Sequence, residues 1–329
     1  ILVIQFLKLK MQKITTDINL AINSLKIGKL VAIPTETVYG LAGDALNEKA
    51  VEQIFILKKR PKNNPLILHI SSYEKLQEIV KNIPFKAKKL AKKFWPGPLT
   101  LVLEKKNKIS NTVSAGKSTI AVRVPNHPLT LKLLNSIDFP IAAPSANPSG
   151  FISPTSASHV SNFFKDGLDV ILNGGLCSKG LESTIIGFED DNPILYRHGA
   201  IPISDLEDCI GTIGKKIKND LNPSSPGMFS RHYSPRTPII LINNLSKYIY
   251  ENKHKKIGVL SFENKEGFTL GTKHEILSKS GDINEAAKNF YSALHSLDSK
   301  NLDIIITTLL PEKGLGKTIN DRLKRAVAN

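Results

Sequence analysis

The sequence predicts an α/β protein of two domains, and three observations carry that reading. The 329 residues suffice for about two domains of ordinary size. Across residues 29–70 a strand, a polar loop, an amphipathic helix and a second strand follow in turn, which is layered α/β order rather than that of a bundle. Over residues 211–238 the texture turns to proline, serine and glycine, and a second α/β pattern begins beyond it.

The elements follow from periodicity and punctuation. Ile18, Ala21, Ile22 and Leu25 recur at helical spacing within residues 16–26, with Gly28 as C-cap. Residues 29–33 form a short apolar strand, left through the polar loop from Pro34 to Gly40. Residues 50–59 make an amphipathic helix and residues 65–70 the next strand. Ser71 is placed to cap a helix reaching Val80. The helix over 84–94 carries five lysines on a solvated face and is halted by Trp95-Pro96-Gly97-Pro98. Strands are expected over 99–104, 119–124, 140–143, 170–172, 184–188 and 194–197, with a helix over 129–137. The second domain offers strands over 239–242, 256–262 and 302–310, with helices over 282–297 and 319–327.

The totals bound the chemistry. Net charge is +16, which favours phosphates or polyanions, while 6% aromatic content argues against a surface that stacks many bases. Cys177 and Cys209 stand far apart without CxxC spacing, fitting a reducing compartment and no zinc site. No HExxH spacing and no stretch of membrane-spanning length occurs. Residues 1–10 are apolar, with neither a basic start nor a small-residue cleavage site, and read as an upstream extension ahead of Met11. Gly314-Leu315-Gly316-Lys317-Thr318 imitates a phosphate loop, but the pattern requires glycine at 311, where Pro311 stands.

The stretch KKRPKNNPLILHI, from Lys58 to Ile70, delivers cations at a helix end into a rigid turn beside a strand, an arrangement suited to an anionic ligand. Other polar residues also fall at strand ends or in the loops that follow: Thr35, Thr37, Thr119, Arg123, Ser145, Asn147, Ser153, Ser183, Thr184 and Arg197. Neither a Ser-His-Asp order nor a nucleophile elbow is present, which excludes that route to acyl transfer. No carboxylate pair suits glycoside hydrolysis. Cations with hydroxyls suit a triphosphate and a small zwitterion, with catalysis by positioning and charge stabilisation.

The segments PTETVYGL, KKRPKNNPLILHI, WPGPLTLVL, AVRVPNHP, PIAAPSANPSG, LESTII and Arg197-His198-Gly199 resemble, in order, the YrdC-like family. With SPGMFSRHYSP and a trailing α/β domain, the chain is similar to the long, two-domain L-threonylcarbamoyladenylate synthases over nearly everything after Met11. The resemblance implies a YrdC-like catalytic domain at 11–212, on a twisted mixed sheet around a positively charged cavity. It further implies a linker at 213–237 that contacts the site and a small Rossmann-like α/β domain at 238–329. The implied reaction joins L-threonine, bicarbonate and ATP into threonylcarbamoyl-AMP with release of pyrophosphate, Mg2+ accompanying the nucleotide. The implied destination is N6-threonylcarbamoyladenosine at tRNA position 37, through a downstream threonylcarbamoyltransferase complex. A cytoplasmic location and weak tRNA binding through the lysine-rich helix are expected, and no membrane association. A hydrogenase-maturation carbamoyltransferase would need zinc-finger and acylphosphatase segments that this chain lacks.

Carried over residue by residue, Thr37, His69, Arg123, the Ala143 backbone and Ser183 match threonine-binding positions. An arginine fork suits the amino-acid carboxylate. Arg60, Asn64, Thr119, Ser145, Asn147, Ser153 and Arg197 match the ATP side, with Lys58 and Arg60 as the catalytic cations beside the phosphates. His232 or Tyr233 would close over the nucleotide from the linker. His69 stands as either a proton carrier or a substrate holder, and the metal ligands are unassigned.

Overall fold

Two sheets organise the chain in the computed structural model, which describes residues 12–215, 232–263 and 272–327. The expected extension at 1–10 and most of the segment 213–237 fall outside the described residues.

Strand β1 (Lys13–Thr15) leads into helix α1 (Ile18–Lys26), whose first turn is closed by the Asp17 carboxylate accepting from the Asn19 amide. Its buried stripe is the expected Ile18, Ala21, Ile22 and Leu25, and Gly28 beyond it takes φ +76°. Strand β2 (Val31–Ile33) pairs antiparallel with β3 (Gly40–Asp44). The sequence left β3 unread because its glycines argue against a strand. Here they admit neighbours instead, a side chain on Gly43 meeting Leu30 at 2.9 Å and Ile54 at 3.3 Å. Asn47 caps α2 (Glu48–Lys58), and β4 (Ile67–His69) follows.

The helix expected from Ser71 to Val80 is corrected to one turn, α3 (Leu76–Ile79), without a side-chain cap. Only Leu76 and Ile79 turn inward there, too few to sustain a longer helix. Then come α4 (Phe85–Phe94), β5 (Leu99–Glu104), α5 (Asn111–Ser114), β6 (Thr119–Arg123), α6 (Pro128–Asn135) and β7 (Ile141–Ala142). Four of the five lysines of α4 are exposed. Helix α7 (Ala157–Phe163), β8 (Val170–Leu172), β9 (Thr184–Glu189), β10 (Asn192–Arg197), α8 (Ile203–Ile210) and β11 (Gly214–Lys215) complete the first domain. Its mixed sheet runs β1-β8-β2-β3-β7-β4-β6-β5-β9-β10-β11.

Beyond the linker lie β12 (Ile239–Leu241), α9 (Leu245–Glu251), β13 (Ile257–Ser261), β14 (Lys273–Ile276), α10 (Ile283–Asp298), β15 (Ile304–Thr307) and α11 (Gly316–Ala326). The four strands pair in parallel in the order β12-β15-β13-β14. In chain order that is 1-4-2-3, with the last strand inserted between the first two, whereas a Rossmann half keeps those two adjacent. The sequence segment that imitates a phosphate loop starts α11. A side chain on Gly316 would fall 1.9 Å from the Pro311 carbonyl, so the turn closes on its own backbone.

The domains share one core. Val38, Ile152, Leu181 and Ala200 of the first pack in a cluster with Ala286, Phe290, Tyr291 and Leu294 of α10. Gly180, at φ +71°, lets α10 approach so closely that an added side chain would meet the Lys288 carbonyl at 2.3 Å. His159 of α7 and His295 of α10 stack with centroids 3.9 Å apart, and His295 Nε2 lies 3.1 Å from the Ser153 carbonyl.

Burial, then the charge of its partner, pushes His159 down to about 3; burial likewise pushes His295 down to about 4, opposed by the Ser153 carbonyl and reinforced by Arg236. Between these values and the ordinary 6.5 only the unfolded chain takes up the protons. Stability is therefore full above pH 6.5 and falls as pH drops toward 4 and 3, by up to about 2 kcal/mol per histidine at pH 5. The urea midpoint should be lower at pH 5 than at pH 7, and a His159→Phe/His295→Phe variant should show a smaller difference.

Candidate functional site

The stretch from Lys58 to Ile70 is one wall of an open cavity whose empty space, part of it continuous with solvent, is about 550 Å³. Its side chains come from loop 34–39, Arg60, β4, the end of β6, loop 143–145, residues 182–183, the end of β10 and the linker pair His232-Tyr233. Thr37, Arg60, His69, Arg123, Ala143, Ser145, Ser183, Arg197, His232 and Tyr233 all line it. Of the sequence-derived site, Lys58, Asn64, Thr119, Asn147 and Ser153 do not.

The periodicity of α2 explains Lys58. Ala50, Val51, Ile54, Phe55 and Lys58 form the buried stripe, so this lysine points inward and its Nζ donates to the carbonyls of Ser145 and Asn147. Burial, then the charge of Arg60, pulls its pKa well below the lysine range. Lys58 is thus corrected from a cation facing the ligand to a clamp on loop 144–149, where the Ser149 amide also donates to the Lys58 carbonyl at 2.7 Å. The helix ends at Lys59, left-handed at φ 50°, and the Arg60 amide returns to the Phe55 carbonyl at 2.9 Å.

Arg60 folds over its own turn. Its Nε donates to the Asn64 carbonyl at 3.1 Å, and Nη2 to Asn64 Oδ1 and the Pro65 carbonyl at 2.7 Å each. Burial, then Arg197, pushes Arg60 down to about 9, still cationic at neutral pH. Arg197 donates from Nε and Nη2 to the Ser183 carbonyl and from Nη2 to Ser183 Oγ at 3.0 Å. Ser183 Oγ also meets Thr100 Oγ1 at 2.7 Å. Gly199 permits this wall, since a side chain there would strike the Thr184 amide at 2.2 Å.

Arg123 is held from three sides. Nε donates to the Gly97 carbonyl at 3.1 Å, Nη1 to Thr37 Oγ1 at 2.9 Å, and Nη2 lies 2.6 Å from Glu36 Oε2, an ion pair outside hydrogen-bond alignment. Thr35 Oγ1 meets Thr37 Oγ1 at 2.8 Å and donates to the Val38 carbonyl, which fixes the loop. Neighbouring His69 is pushed down to about 3 by burial and by Arg123. It is a neutral, weakly basic ring at pH 7, suited to holding a substrate by hydrogen bonding rather than retaining a proton.

Strand pleating extends the site beyond the cavity. Ile67 and His69 share a face with Ala121 and Arg123 opposite them on β6. Ile67, Val102, Ala121 and Ile185, with Tyr196 beside them, form an apolar strip, and Thr119 lies two residues beyond Ala121 on the same face. The alternation in TIAVR, which places Thr119 on this face, is the sequence signal for the strip. Glu36 and Glu182 carry no such signal, because a lone acidic residue has no signature until burial is known.

Asn64, Asn147 and Ser153 stand directly behind the lining. Asn147 Nδ2 donates to the Pro148 and Phe151 carbonyls, and Ser153 Oγ to Glu182 Oε1 at 2.6 Å. Among the described residues, Asn64 Nδ2, His69 Nδ1, Asn147 Oδ1, His232 Nδ1 and the Tyr233 hydroxyl are buried without a hydrogen-bond partner. Three of these atoms, on His69, His232 and Tyr233, belong to residues that line the cavity and suit a polar ligand that satisfies them. The linker pair is pinned in place: the His232 amide donates to the Arg325 carbonyl at 3.3 Å and the Ser234 amide to the Gly150 carbonyl at 2.9 Å.

No group of three or more His, Cys, Asp or Glu that could hold a metal occurs among the described residues. Glu182 is engaged by Ser153, Tyr291 and Arg322, and Glu36 by Arg123. The donor set thus fits a cation carried on nucleotide phosphates, with side-chain hydroxyls nearby, and not a carboxylate cage. Cys177 and Cys209 are both free thiols, the first buried.

The chain is similar to known proteins over most of its length. Residues 23–199 match the family profile described as telomere recombination, which groups Sua5, YciO and YrdC, and residues 201–328 match the threonylcarbamoyl-AMP synthase C-terminal domain. A threonylcarbamoyl-AMP synthase of Pyrococcus abyssi is 40% identical over 94% of this chain and 93% of its own length. One from Bacillus subtilis is 39% identical over 92% of this chain and 90% of its own. The crystal structure of P. abyssi Sua5 complexed with L-threonine superposes with a TM-score of 0.88 at 40% identity, covering 94% of both chains. A second crystal structure of that protein, with a histidine and a tyrosine replaced by alanine, gives 0.87 at 38% identity and covers 94% of this chain and 92% of its own.

Proposed function

We propose that this chain, which belongs to the two-domain threonylcarbamoyl-AMP synthases, makes threonylcarbamoyl-AMP from L-threonine, bicarbonate and ATP by charge stabilisation in a cavity of three arginines. That triad, Arg60, Arg123 and Arg197 around one cavity, is the observation that carries the reading. Arg123 receives the threonine carboxylate in its fork, with the Thr37 hydroxyl, His69 and Ser183 completing the amino-acid site. Arg60 and Arg197 receive the phosphates, and the strip from Ile67 to Thr119 takes the nucleoside. A Mg2+ ion carried with the nucleotide would supply further neutralisation of phosphate charge beside Arg60 and Arg197.

Threonine's amine nitrogen attacks the carbon of bicarbonate or CO2; from bicarbonate a C–O bond breaks and water leaves, giving a carbamate. A carbamate oxygen then attacks the α-phosphorus in line as the bond to the β-phosphate oxygen breaks. The electron pair leaves with pyrophosphate, whose charge Arg60 and Arg197 offset. No protein base is required, since a second amine or bicarbonate can take the proton. His232 and Tyr233 lie over the cavity and restrict water from the carbamate.

The product passes to a tRNA threonylcarbamoyltransferase complex for adenosine at position 37, and the lysine face of α4 gives weak tRNA attraction. No helix among the described residues is long and apolar enough to cross a membrane, and a cytoplasmic location accords with a tRNA pathway. The test is pyrophosphate release from ATP with threonine and bicarbonate supplied singly and together. Release should require both. Equal release without threonine would overturn the reading.

A further inference from the structure

Resting on the synthase reading, we propose that Arg322 of α11 is a positioning residue for the reaction, one guanidinium of the second domain that holds both a wall and the cover of the cavity. Its side chain is fully buried, a placement tolerated only when each edge of the cation is met. Nε donates to Glu182 Oε2 at 2.9 Å, Nη2 to the His198 carbonyl at 2.6 Å, and Nη1 to Asp321 Oδ2 at 2.6 Å. Its face lies 4.5 Å from the centroid of the Tyr233 ring.

Two of these four partners, Glu182 and Tyr233, line the cavity, and a third, His198, follows the lining residue Arg197. Tyr233 sits at φ 66°, a conformation a tyrosine keeps only when its surroundings impose it. The Arg322 face, the His232 ring at 4.0 Å and the Tyr291 ring at 6.0 Å are those surroundings. On the wall, burial pushes the Glu182 carboxyl up, but Arg322, then Arg197, with the Ser153 and Tyr291 hydroxyls, brings it down to about 2. Arg322 therefore keeps a carboxylate ionised beside the phosphate-facing arginine.

A purely structural ion pair would serve to join the domains, yet the shared apolar core around Phe290 and Leu294 already does so. The two roles part experimentally. In Arg322→Gln, kcat for pyrophosphate release should fall about 100-fold, the effect of a misplacement near 1 Å, while the threonine KM stays close to that of the parent. Without its cation the Glu182 carboxyl titrates higher, so the acid limb of the variant's pH–rate profile should move to higher pH relative to the parent's. Arg322→Gln/Glu182→Gln should be no slower than the slower single variant, because both disable one unit. Ser292→Ala, which removes an interdomain hydroxyl contact with Thr155, should retain the parent's activity.

Hydrogen exchange supplies a readout that does not depend on turnover. In Arg322→Gln the amides of His232 and Ser234 should lose protection at least about tenfold while β13 and β15 keep theirs. Should that variant fail to fold, Tyr291→Phe removes one hydroxyl from Glu182 inside a packed core, keeps the Arg322 cation, and should show a smaller pH effect in the same direction with a several-fold loss. A parental rate and parental protection, or a pH-independent loss that adds to that of Glu182→Gln, overturns the proposal. A parent protein that releases no pyrophosphate with both substrates present overturns the synthase reading instead, and exchange at residues 232–234 still decides the role of Arg322.

Discussion

Arg60→Ala is expected to lower kcat/KM for ATP by about 10³, the scale on which a charge-stabilising group acts in phosphoryl transfer. A residue just past a helix end, in a loop, is ordinarily replaced without harm to the fold. The structure changes that expectation. Arg60 is buried and donates to two backbone carbonyls and one side chain of its own turn. Alanine would leave the Asn64 and Pro65 carbonyls without these donors, at about 1–3 kcal/mol each if they stay dry. Thermal melts should thus show a loss of several degrees, and kinetics should be read below that transition. A variant with near-parental kcat/KM would remove Arg60 from the phosphate site.

Arg123→Gln should raise the threonine KM by about 10² to 10³, since truncating one member of a desolvated charge pair costs about 2–5 kcal/mol. ATP binding, measured by calorimetry without threonine, should change little. The variant also strands Glu36, a carboxylate only 5% exposed whose counter-charge is Arg123. Loss of that partner is expected to destabilise the protein by about 3–5 kcal/mol. Adding Glu36→Gln should recover most of that stability without restoring threonine affinity. If affinity and stability return together, Arg123 acts on the fold and does not bind the carboxylate.

The sequence shows the site where chemistry and local geometry coincide. The turn after Lys58, the Ser145 loop and Arg197 at a strand end all combine a backbone break with a polar side chain. It misleads where one residue serves two periodicities. Lys58 is both the last cation of a basic helix end and the next member of the buried stripe Val51, Ile54 and Phe55, and packing decided for the stripe. It is silent where meaning depends on a partner far along the chain. Glu36, Glu182 and Arg322 look like ordinary surface charges until Arg123, Tyr291 and Glu182, respectively, are brought against them. The same holds for the fold: α1 and α4 declare themselves by spacing, whereas β3, rich in glycine, is a strand only because flanking strands and α2 enclose it.

The sheet order β1-β8-β2 also has a kinetic meaning. Strand β1 pairs with β8, which in turn pairs with β2, so β1 has no ladder partner until residues 170–172 emerge from the ribosome. At about 5–20 residues per second that interval is roughly 10–30 s, during which its backbone groups stay open to any passing edge. The amino-terminal corner of the first domain must therefore be among the last parts of that domain to lock during synthesis. Slow translation upstream of β8 lengthens that exposure.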